Sequence, residues 1–141
     1  MKRKSYSNAK YCLVIKGKVK PFKTKATAKD YAINNKVDVV HIFDSGKEAY
    51  RYIELIEMVA TNEIKGLELQ PKFTLSEKFT DWYTGKKHRA ITYKADFKYY
   101  NNLKSQWFVE EVKGYKTREF RRTEKLFSKM SEGLGVAYII T

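Results

Sequence analysis

Two short runs of alternating apolar and polar residues, ITYKADFKYY over residues 91–100 and QWFVEEVKG over 106–114, are separated by a polar run at residues 101–105. β-Branched and aromatic residues dominate both, so they predict two strands of one hairpin. Successive side chains of a strand point to opposite faces, which puts Thr92, Lys94, Asp96 and Lys98 on one side and Ile91, Tyr93, Ala95, Phe97 and Tyr99 on the other. In the second strand Trp107, Val109, Glu111 and Lys113 share a face, opposite Phe108, Glu110 and Val112.

Before this hairpin, residues 11–15 and 19–23 predict two strands turned at Gly17-Lys18. Residues 26–35 predict a short helix with Ala28, Tyr31, Ala32 and Ile33 on its apolar side, and residues 37–43 a third strand. A longer helix begins near Ser45 and runs to about Ala60, its apolar stripe being Ala49, Tyr52, Ile53, Ile56, Val59 and Ala60. Gly66 ends a turn, LELQPKFTL follows as a strand, and Pro71 marks an edge, a strand end or a bulge because it has no N–H to donate. After Gly114, Thr117 caps a helix reaching about Met130, with Phe120, Phe127 and Met130 inward, and residues 136–140 form a last strand. The expected organisation is a basic arm and ββαβ accessory unit over residues 1–42, then an α/β (α+β) core over residues 43–141 in the order helix, three strands, helix, strand.

Charge changes the picture most. Lys and Arg total 29 against 16 for Asp and Glu, a net +13. Such an excess points to a polyanionic partner, nucleic acid above all, bound with steep salt dependence. The single cysteine, Cys12, excludes an internal disulfide and a cysteine-based zinc site and suits a reducing cytoplasm. No apolar run approaches the ~20 residues that span a bilayer, so a soluble cytoplasmic protein without membrane partners is expected. His41 and His88 have no acid or cysteine at ligand spacing, and no Gly-rich phosphate loop or Ser-His-Asp set appears.

The acids and cations that remain suggest a chemistry. An Asp on one strand with a Glu-Xaa-Lys on the next offers two hard carboxylates to Mg²⁺, which commonly takes one or two of them with water and phosphate oxygens. A lysine two residues on can orient a nucleophilic water and neutralise charge developing on phosphorus. The Val112 carbonyl, between the two, offers a further oxygen ligand. Arg118, Arg122, Lys125 and Lys129 recur at helical spacing and, with Arg121, form a basic stripe apt for phosphates. Trp82, Tyr83, Tyr99 and Tyr100 fit either base stacking or ordinary strand packing. Ser45 and Glu48 have the spacing of a helix capping box.

Ala95-Asp96 followed by Glu111-Val112-Lys113 resembles the signature of the PD-(D/E)xK (restriction-endonuclease-like) nuclease superfamily, with Ala95 where the name has proline. The ordered segments FDSGKEAYRY, LELQPKF, KKHRAITYKADFKY and VEEVKGYKTREF, within residues 43–127, resemble a family of small phage and prophage proteins of that superfamily. The resemblance implies an αβββαβ core and an endonuclease using Mg²⁺ or Mn²⁺. It implies metal ligation by Asp96 and Glu111, water positioning by Lys113, a second role for Glu48 as a metal ligand, and DNA contacts by Arg51 and the Arg118, Arg121, Arg122, Lys125, Lys129 helix. By the same analogy the substrate extends to branched DNA such as Holliday junctions and the protein to a homodimer. A non-catalytic DNA-binding protein and a nicking or homing-type endonuclease with sequence preference are the alternatives.

Overall fold

Alternation in YCLVI and KVKPF makes an antiparallel hairpin of β1 (Tyr11–Ile15) and β2 (Lys18–Phe22) in the computed structural model, which describes residues 10–141. Lys16 and Gly17 turn it with φ of 49° and 74°, the positive pair that a two-residue hairpin favours. α1 (Lys25–Asn34) follows, capped by Thr24, whose side chain accepts from the Thr27 N–H. Leu13 packs with Ala28 and Ala32 of α1, as the helical pattern predicts. The strand expected over residues 37–43 is reduced to a bridge, Phe43 exchanging backbone bonds of 2.8 and 2.9 Å with Cys12. Val39 and Val40 are exposed, for β-branched residues make a strand only where a partner edge receives them.

α2 (Gly46–Ala60) completes the first of two compact units, which part between Ala60 and Thr61. It packs on β1 and β2, and its buried residues are Glu48, Ala49 and Leu55. The expected stripe is therefore corrected: Ile56 and Val59 are 42% and 36% exposed, while an acid lies on the buried side. A count of apolar residues cannot place a buried carboxylate. The basic arm expected over residues 1–10 lies, except for Lys10, outside the described residues.

The second unit runs through β3 (Ile64–Leu69), β4 (Lys72–Ser76), β5 (Phe79–Thr80), β6 (Lys87–His88), β7 (Ile91–Lys94), β8 (Phe97–Asn101), β9 (Gln106–Glu111), α3 (Arg118–Leu134) and β10 (Val136–Ile140). Its main sheet has the order β10-β9-β8-β3, antiparallel except that β10 is parallel to β9. Parallel neighbours need a long crossover, and α3 supplies it. The Thr117 hydroxyl accepts from the Phe120 N–H at 3.1 Å to start α3, and Gly135, at φ 67°, ends it. Phe120 and Phe127 of α3 close a core with Tyr93, Ala95 and Val109.

The single strand expected over residues 91–100 is two strands, β7 paired with β4 and β8 in the main sheet. The ribbon breaks on both of its strands at one level. The Gln70 N–H bonds to the Asp96 carbonyl at 2.9 Å and the Ala95 N–H to the Pro71 carbonyl at 3.1 Å. Pro71 lies in the break between β3 and β4, directly before the start of β4, so a strand end is the one of its three expected roles that it takes. The break inverts the alternation: the Tyr93 hydroxyl meets Glu111, whereas the Tyr99 hydroxyl meets Glu110 on the opposite face of β9.

Gly66, expected in a turn, lies inside β3 at φ 63°, where the register with β8 slips between Lys65 and Glu68. An added Cβ would sit 3.2 Å from the Trp107 ring. Gly66→Ala should destabilise the protein by about 1–2 kcal/mol, through the left-handed conformation and the displaced indole. A shift in the urea midpoint at unchanged m-value checks this. Among the described residues no helix is long and apolar enough to cross a membrane.

Candidate active site

The bend of the ribbon fixes Asp96 against the end of β9. Its N–H donates to the Glu110 carbonyl at 3.1 Å, and its carboxylate Oδ2 accepts from the Val112 N–H at 2.7 Å. Phe97 is the register partner of Glu110, so Asp96 is set beside Glu111, one step further along.

Glu111 is the last residue of β9 and is buried. Its Oε2 accepts from the Tyr93 hydroxyl at 2.7 Å, and that hydroxyl lies 2.7 Å from the hydroxyl of Tyr138. A phenol has one proton to give, so with Tyr93 donating to Glu111, Tyr138 donates to Tyr93. Lys113 Nζ lies 3.6 Å from Glu111 Oε1 and 4.5 Å from the centre of the Phe120 ring. The backbone under this pair is held by Thr141, the residue after β10: the Thr141 N–H donates to the Glu111 carbonyl and the Lys113 N–H to the Thr141 carbonyl, both at 2.9 Å. Glu111 and Lys113 therefore point the same way, as alternation requires.

Burial pushes the Glu111 carboxyl above its ordinary pKa, against the downward pull of the Tyr93 hydroxyl and the Lys113 ammonium. Tyr138 is pushed up to about 12, by burial first, and the charges of Glu111, Glu124 and Asp96 add to it. Tyr93 is raised well above the usual phenol range by burial, by the bond it donates to Glu111 and by the charge of that carboxylate. Asp96 and Glu111 thus act on one phenol. Among the described residues no group of three or more His, Cys, Asp or Glu side chains is arranged to hold a metal ion.

Arg118, Arg121, Arg122, Lys125 and Lys129 are all exposed on α3, on the side away from Phe120 and Phe127. Glu48 and Arg51 belong to the first unit. The Glu48 N–H donates to Ser45 Oγ at 3.2 Å, one half of the capping box, and Glu48's charge adds to burial in raising the Cys12 thiol. Arg51 pairs with Glu54 at 2.7 Å. His88 stacks on Phe79 and His41 meets Phe43 edge-on.

Sequence reasoning missed Tyr93 and Tyr138 as partners of Glu111. One signal was available for Tyr138: it is the only residue with a polar tip in VAYII, and a buried phenol seeks a partner. Glu110 was passed over too. It is fully buried on the other face, accepting from Tyr99 at 2.8 Å and from the Thr141 hydroxyl at 3.2 Å.

The described chain is a mixed α+β protein in which two acids and a lysine gather where a ribbon leaves its sheet. Residues 23–141 match the family described as Protein of unknown function (DUF1064), and the chain belongs to that family. No curated protein and no solved structure matches it.

Proposed function

We propose that this protein is a divalent-metal-dependent DNA endonuclease with the αβββαβ core of the PD-(D/E)xK superfamily. The observation that carries the reading is the Asp96 carboxylate seated on the Val112 N–H, within the same Glu-Val-Lys segment that sets Lys113 beside Glu111. The chain order α2, β3, β8, β9, α3, β10 and the parallel placing of β10 beside β9 support the fold assignment.

The donors fit Mg²⁺ or Mn²⁺. Asp96 and Glu111 are hard oxygen ligands, two carboxylates are what Mg²⁺ commonly takes, and the Val112 carbonyl lies between Glu111 and Lys113 in the chain. When bound, the ion supplies Lewis acidity to the phosphoryl oxygen and lowers the pKa of a water. The chain's own residues do the rest. Tyr93 and Tyr138 orient the Glu111 carboxylate through their hydroxyl pair. Lys113 places a cation where negative charge builds on phosphorus. The exposed cations of α3 meet backbone phosphates.

A second reading, a DNA-binding protein without catalysis, draws on the same contacts, since hydrogen bonds to Val112 and Tyr93 also suit a structural pair of acids. Incubation with supercoiled plasmid and with a four-way junction separates the two. Cutting with Mg²⁺ or Mn²⁺ and none in EDTA is expected, with faster cutting of the junction if the substrate is branched. A mobility shift without cutting under every metal condition would leave only the second reading.

A further inference from the structure

Between β4 and β7 the chain makes a separate small hairpin, β5 with β6, within the sequence EKFTDWYTGKKHR of residues 77–89. Asp81 closes its turn. Its Oδ1 accepts from the N–H groups of Tyr83 at 2.9 Å and Thr84 at 2.7 Å. Its own N–H donates to the Lys86 carbonyl at 2.8 Å, and its carbonyl accepts from the Gly85 N–H at 2.9 Å. Gly85, at φ 71°, takes the left-handed conformation that this turn needs.

So well-tied a turn carries side chains that a folded protein ordinarily buries. Trp82 is 93% and Tyr83 81% exposed, their rings 5.6 Å apart at 61°. Lone exposed apolar residues are unremarkable, but two large adjacent aromatics at a rigid tip form a patch. The charges around it are mostly positive. Lys78, Lys86, Lys87 and Arg89 are exposed, against Glu77 and an Asp81 whose carboxylate is engaged in the turn.

We propose that this hairpin is a stacking site for unpaired nucleotides of a nucleic-acid strand, Trp82 and Tyr83 receiving bases while Lys86, Lys87 and Arg89 meet the adjoining phosphates. Flat π-faces accept any base, and cations beside them follow a phosphate chain. Bases within a continuous duplex are already stacked on one another, so the hairpin selects strands with free or splayed nucleotides, as at ends, forks and branches. The inference rests on the nucleic-acid part of the function proposed above and not on cleavage. It names the substrate class: nucleic acid with an unpaired segment.

Binding in EDTA tests it with catalysis silent. In a Trp107→Phe background Trp82 is the sole tryptophan, and its fluorescence is titrated with oligo-dT, oligo-U and a blunt duplex of equal length. Single strands should quench it and the duplex should not; whichever of DNA and RNA binds tighter identifies the strand. The double variant Trp82→Ala, Tyr83→Ala should bind single strands about 30-fold more weakly and the duplex less than about 3-fold more weakly. Equal losses on both, no loss on either, or quenching by phosphatidylserine vesicles in place of oligonucleotides overturns the proposal. If single-strand binding falls as expected but the wild type never cuts with metal, the nuclease reading alone fails. If the wild type cuts and the double variant binds single strands unchanged, the hairpin proposal alone fails.

Discussion

Asp96→Asn should cut DNA about a thousand-fold more slowly than the wild type while melting at the same temperature and still shifting DNA in EDTA. The asparagine keeps an oxygen that accepts from the Val112 N–H, now at 2.7 Å from Asp96 Oδ2, so the ribbon bend survives. What it loses is the negative charge that would hold a divalent ion. Asp96→Ala should be equally inactive but less stable by about 1–3 kcal/mol, because the part-buried Val112 N–H is then left without its partner. Three measurements suffice: initial rates on plasmid with Mg²⁺, mobility shift in EDTA, and thermal unfolding. An Asp96→Asn variant that cuts at the wild-type rate removes Asp96 from the catalytic site.

Phe127→Ala should destabilise the protein by about 3–5 kcal/mol, a large share of the ~5–15 kcal/mol that folded domains possess. Phe127 is fully buried, and its ring lies 4.6 Å from Phe73, 5.1 Å from Tyr93 and 4.7 Å from Tyr138, centroid to centroid. Truncation removes the common contact of three other rings, which cannot all collapse into the space. Urea unfolding should show the midpoint falling with little change in m. Because Tyr93 and Tyr138 are the hydroxyl pair on Glu111, the rate of cutting should fall as well, even where the variant is folded. Phe127→Leu, which keeps more of the volume, should recover most of the stability and most of the rate.

The aromatic cluster shows how the site depends on the core. Tyr93 packs its ring on Phe127 and gives its hydroxyl to Glu111. Lys113 likewise sets its ammonium over the ring of Phe120, a residue of α3 that is itself core. Helix, sheet and ribbon each lend one wall to the pair of acids, so a packing defect at any of them reaches the carboxylates.

Much of this was legible locally. The hydroxyl of Thr117 starts α3 where expected, though the helix runs to Leu134, a turn past the expected Met130, and five apolar or small residues in a row make β10. The spacing of Glu111 and Lys113 told that they share a direction, because period-two alternation is a property of the backbone alone. The basic stripe of α3 was legible as well, since 3.6 residues per turn puts Arg118, Arg122, Lys125 and Lys129 on one side in any helix.

What the residues in order did not disclose is where that alternation is interrupted. The run from Ile91 to Tyr100 looks continuous, yet hydrogen bonds from Gln70 and to Pro71, far away in the chain, split it at Ala95-Asp96 and turn Tyr93 towards Glu111. In α2 the same limit applied: the burial of Glu48 and the exposure of Ile56 depend on which neighbours the helix meets. Sequence by itself determined the elements and the direction of side chains within each unbroken strand or helix, for these follow from local geometry. Only the tertiary structure decided which carboxylate met which phenol and where Asp96 came to rest, because register and bending are set by bonds between distant segments.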